Sequence, residues 1–131
     1  MADDQWHHVT ATWRSDTGHI KLFCDGVLLS DEKDAMKGRA IPGGGSMILG
    51  QQYDHGGGIL QENYFHGLMT AFNMWNRVLS EETIGKLATA LEGIEAGNVL
   101  SWQSIIGTAV LNVQVTKVLV ETIQSIGKSH A

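Results

Sequence analysis

Residues 48–67 concentrate groups that could bind a metal ion. Oxygen-bearing side chains fill positions 51–54, three consecutive glycines follow at 56–58, and oxygen-bearing side chains return at 61–64. Calcium takes about six to eight oxygen ligands, several of them from carboxylates. The glycines would make the segment flexible when no ion is bound. The pattern fits a calcium-binding loop, the remains of such a loop, or a long surface connection.

The histidines and the cysteine do not form a recognisable metal-binding motif. His7 and His8 are adjacent, so on a strand they would point to opposite faces. His55 and His66 flank the glycine-rich segment, without a suitably spaced thiol partner. Cys24 lies in an apolar alternation and is predicted to be a small buried side chain rather than a reactive thiol. We therefore predict structural or solvent-exposed histidines.

No arrangement of residues predicts catalysis. A glycosidase needs two carboxylates about 5–10 Å apart across a cleft, and no strand carries a closely spaced acidic pair. The sequence contains no Ser-His-Asp order, phosphate-binding loop or dinucleotide fingerprint. Three of the four tryptophans sit in apolar alternation, which favours core packing over stacking on sugars. The prediction is that the chain is not an enzyme.

The bulk composition predicts a single globular domain over residues 1–131. Apolar residues make up 43 % and charged residues 18 % of the chain. The net charge of −5, with nine Lys and Arg, argues against nucleic-acid binding. We find no apolar stretch of about 18 residues that could span a membrane and no signal peptide at the start. The single cysteine excludes an intrachain disulfide.

Hydrophobic periodicity predicts about eight strands and one helix. Alternation indicates strands at 8–14 and 19–24, and the Asp25-Gly26 pair predicts a hairpin into a strand at 27–29. The helix should begin after an N-cap at Ser80 and stop near Gly93. Further strands are predicted at 46–50, 65–75, 99–102, 109–115 and 117–123. The segment at 65–75 carries bulk on both faces, which favours a central strand. This order of elements predicts an antiparallel sandwich.

Several segments, taken in order, resemble the pentraxin family. HVTATWRS at 8–15 looks like the family signature His-x-Cys-x-Ser/Thr-Trp-x-Ser, except that Thr10 stands where the family has cysteine. Similar matches are CDG at 24–26, MILGQQYD at 47–54, FHGLMTAFNMWNRVLSEETI at 65–84 and GNVLSW at 97–102. Laminin-G-like domains share the fold and some of these features, so they are the close neighbour.

The resemblance implies an all-β, antiparallel jelly-roll (concanavalin A-like) sandwich with one short helix near 80–92. It covers about the C-terminal two-thirds of such a domain, so the sandwich is expected to be incomplete at the N-terminus. The implied function is lectin-like, calcium-dependent recognition of phosphocholine-like or carbohydrate ligands, of the innate-immune type. The resemblance also implies a secreted protein that forms a homo-oligomer or pairs with a complementary segment. The alternative is a laminin-G-like structural or adhesion domain that needs no metal.

The resemblance also assigns candidate calcium ligands. The family's loop supplies a glutamate, a glutamine backbone oxygen and an aspartate, whose matching positions are Gln52, Tyr53 and Asp54. Beyond the glycines, the next carboxylate position falls on Gln61 in one register and on Glu62 in another. Because a neutral amide replaces a carboxylate at Gln52, the calcium site is expected to be weak or lost. Weak binding of a single calcium ion and no calcium site both remain open.

Overall fold

The computed structural model describes residues 3–53, 59–90 and 95–108, and in the strand residues of 51–64 it describes the backbone. The chain divides into two compact units. One comprises Met1–Arg39 and Ala71–Ala131, and the other comprises Ala40–Thr70. We call them the sheet–helix unit and the hairpin unit.

The sheet–helix unit contains a three-stranded antiparallel sheet in the order β1-β2-β3. The strands are β1 (Val9–Arg14), β2 (His19–Cys24) and β3 (Val27–Glu32). The turn between β2 and β3 has Asp25 at φ 51° and Gly26 at φ 79°, the left-handed pair that tight hairpins require. A Cβ on Gly26 would lie 3.4 Å from the side chain of Ala88, so the turn packs closely against the helix that contains Ala88.

The core of this unit lies on one face of the sheet. Phe23, Leu79 and Ile84 are buried and pack with the half-buried Trp75 and Leu87. Successive strand residues point to opposite faces of a sheet. Leu22 and Cys24, on either side of Phe23, therefore belong to the other face. On that second face, which we call the outer face, Val9, Leu22 and Val27 are 67 %, 41 % and 64 % exposed, whereas Cys24, which pairs with Val9 and Val27, is buried.

Helix α1 (Glu81–Thr89) begins where the sequence predicts. The Ser80 hydroxyl accepts the Thr83 N–H at 3.1 Å, satisfying one of the free amides at the helix start. Two glutamates in the first turn suit the positive end of the helix dipole. The helix ends earlier than expected, because Ala90 adopts an extended conformation (φ −131°) before Gly93 is reached.

The prediction of a long strand at 65–75 is wrong. This segment is irregular and makes one isolated antiparallel bridge, between Met74 and Leu100. Gly67 at φ 144° and Ala71 at φ 55° interrupt an extended path, which apolar alternation alone cannot reveal. The strand expected at 46–50 is also absent, since Gly50 turns at φ 81° and the strand begins after it.

The strand predicted at 99–102 is replaced by the bridge at Leu100 and by helix α2 (Trp102–Ile105). Ser101 and Ser104 form a reciprocal cap at the start of that helix. The strands predicted at 109–115 and 117–123 lie outside the described residues. All four tryptophans are partly buried. Neither helix of the described chain has the length and apolar character needed to cross a bilayer.

Candidate functional site

The hairpin unit carries the segment predicted to bind calcium. Strand β4 (Gln51–Tyr53) pairs antiparallel with β5 (Ile59–Tyr64). The Phe65 N–H donates to the Gly50 carbonyl at 2.7 Å and closes the base of the hairpin. The described residues on either side of the glycines, 51–53 and 59–64, are therefore strands that pair with each other.

The pairing of β4 with β5 is irregular where the predicted ligands lie. Gln51 pairs with Tyr64, and Tyr53 pairs with Ile59. Between these pairs, β4 contains one residue, Gln52, whereas β5 contains the four residues 60–63. An irregularity of this kind leaves backbone groups outside the regular ladder and bends the strand that carries the extra residues.

Three of the five predicted ligands, Gln52, Gln61 and Glu62, lie within this irregular stretch, and Tyr53 lies at its end, paired with Ile59. Gln52 and Tyr53 lie on β4, and Gln61 and Glu62 lie on β5. These four residues therefore lie on the two strands of one hairpin, and their role as calcium ligands stays a prediction. Asp54 lies outside the described residues, so its position stays a prediction.

A second group of potential metal ligands lies at the end of β2, in the sheet–helix unit. One ligand atom from each of His7, Cys24 and Asp25 lies within 4.8 Å of the other two. The His7 ring bonds through Nδ1 to Asp25 Oδ2 at 2.8 Å and through Nε2 to the Asp3 carboxylate at 3.0 Å. The Cys24 thiol is buried and lies 3.6 Å from Asp25 Oδ2.

The register of the sheet places these residues together. Val9 pairs with Cys24, and one position further out the Asp25 N–H donates to the His8 carbonyl at 2.8 Å. A second hydrogen bond joins the same two residues, because the Asp25 carboxylate accepts the His8 N–H at 2.8 Å. The left-handed conformation of Asp25 is thus held by two hydrogen bonds to one residue.

The charges of this group are mutually dependent. Hydrogen bonds to Asp25 and Asp3 raise the pKa of His7 above its ordinary value. Burial alone would raise the pKa of Asp25, but the His7 ring and the His8 N–H outweigh it and hold that pKa low. The His7 hydrogen bond likewise lowers the pKa of Asp3. Burial, followed by the charge of Asp25, raises the pKa of the Cys24 thiol.

The two adjacent histidines precede β1, which begins at Val9, so the strand alternation expected for them does not apply. His7 faces two carboxylates, whereas the half-buried His8 ring has no hydrogen-bond partner for Nδ1 among the described residues. Burial lowers the pKa of His8 below its ordinary value. Cys24 is buried, as its apolar alternation predicts. Sequence reasoning missed the group that His7 and Cys24 form with Asp25.

The sequence profile described as the Pentaxin family matches residues 2–116. This chain belongs to the pentraxin family. The profile spans both compact units and therefore includes the β4–β5 hairpin. Within this family, the antiparallel sheets and short helices are those of an all-β jelly roll, which confirms the fold class predicted from the sequence.

Several longer proteins contain regions similar to this pentraxin chain. It is 37 % identical over 106 residues to "Sushi, von Willebrand factor type A, EGF and pentraxin domain-containing protein 1" of Rattus norvegicus, covering 79 % of this chain and 3 % of that protein. It is 36 % identical over 105 residues to "Pentraxin-related protein PTX3" of Mus musculus, covering 75 % and 26 %. It is 34 % identical over 103 residues to "Neuronal pentraxin-2" of Cavia porcellus, and the match covers 78 % of this chain and 24 % of that protein. The chain spans at most about a quarter of each relative's length.

Proposed function

We propose that this pentraxin chain is a non-enzymatic recognition module that binds phosphocholine-like or carbohydrate ligands through calcium held by the β4–β5 hairpin. The observation that supports this proposal best is the irregular pairing of the hairpin. Gln52 of β4 and the β5 residues Gln61 and Glu62 lie between the two paired positions of this hairpin, outside its regular ladder, which supports a role for them as ligands.

Calcium binding at this hairpin should be weak. Asp54 and Glu62 are the carboxylates among the predicted ligands, and Gln52 contributes only a neutral amide oxygen. Calcium affinity depends on the number of charged ligands and on the rigidity of the site. We therefore propose one weakly held calcium ion whose remaining coordination positions are filled by water and by the ligand. A phosphate or a sugar diol supplies the oxygens that such an ion lacks.

The same proposal includes an extracellular location and self-association. Millimolar calcium affinity suits an extracellular module, where calcium is abundant, better than a cytosolic one. Self-association is supported by the exposed apolar side chains of the outer face.

The test is isothermal titration of the full chain with calcium, and then with phosphocholine in the presence of calcium. We expect a calcium heat that a chelator abolishes and a phosphocholine heat that appears only with calcium. A galactose or mannose titration run in parallel separates phosphate ligands from sugar ligands. Ligand binding that persists in the chelator, or no calcium heat at all, would contradict the proposal and favour a laminin-G-like module that needs no metal.

A further inference from the structure

The three side chains at the end of β2 combine a thiol, an imidazole and a carboxylate. Calcium binds oxygen ligands, so sulfur and nitrogen do not suit it. Zinc binds all three of these donors, and three protein ligands leave its fourth position open to water. We propose that Cys24 Sγ, His7 Nδ1 and Asp25 Oδ2 form a zinc site that is separate from the β4–β5 hairpin.

Two of the three distances between the donor atoms are close to those around a tetrahedral ion, and all three donors lie within 4.8 Å of one another. Zinc lies about 2.0–2.3 Å from such ligands, which places neighbouring ligand atoms roughly 3–4 Å apart. Cys24 Sγ and Asp25 Oδ2 are already 3.6 Å apart. His7 Nδ1 and Asp25 Oδ2 are 2.8 Å apart, a hydrogen-bond distance that widens by a few tenths of an ångström when an ion replaces the shared proton.

The neighbouring residues hold the ligands in position before an ion arrives. Asp25 uses Oδ1 to accept the His8 N–H, which leaves Oδ2 for the metal. Asp3 lies 3.0 Å from His7 Nε2 and can accept its proton, as carboxylates do for metal-bound histidines, and this leaves Nδ1 for the metal. Binding of zinc releases the thiol proton of Cys24 and any proton that His7 carries on Nδ1. The thiolate and the Asp25 carboxylate then balance the two positive charges of the ion.

Cobalt, a spectroscopic substitute for zinc, tests the site directly. A thiolate bound to cobalt gives a near-ultraviolet charge-transfer band, and Cys24 is the only cysteine in the sequence, so the band would report on that residue. We expect the full chain to develop this band with one cobalt per chain, and zinc to abolish it. Excess calcium should not displace the ion, because calcium does not bind this donor set.

Variants assign the ligands. Zinc affinity, measured by competition with a chromophoric chelator, should fall by more than about 100-fold in Cys24→Ser and Asp25→Asn. Asparagine keeps the oxygen that accepts the His8 N–H, so Asp25→Asn tests the charge with little change in the turn. Asp3→Asn, at an exposed residue, should weaken binding by about 10–100-fold.

His19→Gln is the matched control. His19 also bonds to an aspartate on this sheet, Asp31, but is not part of the metal-competent group of described residues. The zinc affinity of His19→Gln should equal that of the unaltered chain. Circular dichroism checks the fold of each variant. The proposal is overturned if no band forms, if Asp3→Asn and Asp25→Asn bind zinc normally, or if one ion is shared by two chains. Asp3→Asn decides the case if the Cys24 variant does not fold.

Discussion

Gln52 is the residue on which the calcium affinity of the hairpin should depend most. The change Gln52→Glu adds a carboxylate at a predicted ligand position, and calcium affinity rises with ligand charge. We expect dissociation constants of about 10⁻⁴–10⁻³ M for the unaltered chain and at least about tenfold tighter binding for the variant. Calorimetry measures both. Gln51→Glu adds the same charge one position earlier and should change the affinity much less. Micromolar binding by the unaltered chain would show that the charge argument is wrong.

Asp54 should be indispensable to the same site. Asp54 is the one aspartate among the predicted ligands. The change Asp54→Ala leaves Glu62 as the only carboxylate of that set, and we expect no measurable calcium heat. Glu81→Ala removes a carboxylate of helix α1, which bonds to Lys21 Nζ at 2.6 Å and belongs to the other compact unit. That variant should bind calcium normally. Equal losses in the two variants would place the calcium site outside the hairpin.

At the scale of elements, the pairing of β2 with β3 should depend on pH through Asp31. The hydrogen bond to His19, reinforced by the nearby charge of Lys21, holds the pKa of Asp31 below its ordinary value of 3.8. A carboxyl with a lower pKa in the folded than in the unfolded chain stabilises the fold above the ordinary value. That contribution disappears as the pH falls through the lower, folded value.

The test compares urea midpoints of the unaltered chain and Asp31→Asn. We expect the unaltered chain to be the more stable at about pH 5.5 and the difference to shrink progressively below about pH 4. Asp16→Asn, in the exposed turn between β1 and β2, is the control and should give a smaller difference. A difference for Asp31→Asn that grows as the pH falls would contradict the assignment.

The elements that were predicted correctly are those specified by adjacent residues. Strands β1 and β2, the turn at Asp25-Gly26 and the cap at Ser80 follow from alternation, turn chemistry and capping. The segment at 65–75 has the same alternation, but Ala71 adopts a left-handed conformation that cannot be predicted from the type of its side chain. The predicted calcium ligands came from a family resemblance, and the structure adds that four of them lie on the paired strands β4 and β5. The group around Cys24 depends on strand register, which becomes visible only after pairing.

At the scale of the whole molecule, the outer face should make the isolated chain self-associate. Val9, Leu22 and Val27 expose apolar surface on that face, and apolar patches of more than a few hundred Å² are unusual on monomers. In sandwich proteins such a face is covered by a second sheet. We expect concentration-dependent association in analytical ultracentrifugation and binding of a dye that reports exposed apolar surface.

Polar substitutions locate the association. Val9→Thr combined with Val27→Thr keeps β-branched residues in the strands and should reduce both association and dye binding. Met36→Ser removes an equally exposed apolar side chain, 69 % accessible, from a turn outside the sheet and should have little effect. A monodisperse chain that binds no dye and unfolds cooperatively would show that the outer face needs no partner.

The close approach of Gly26 to helix α1 has a consequence for cooperativity. A Cβ at this position would touch Ala88 and Gly85, so the hairpin turn and the helix share one contact although they are far apart in the chain. We expect the turn and the helix to open as one cooperative unit, whose amides exchange with solvent at a common free energy. We expect native-state hydrogen exchange in rising denaturant to group the amides of α1 with those of β2 and β3 near the turn. Two independent openings would instead mean that the helix detaches while the hairpin stays closed.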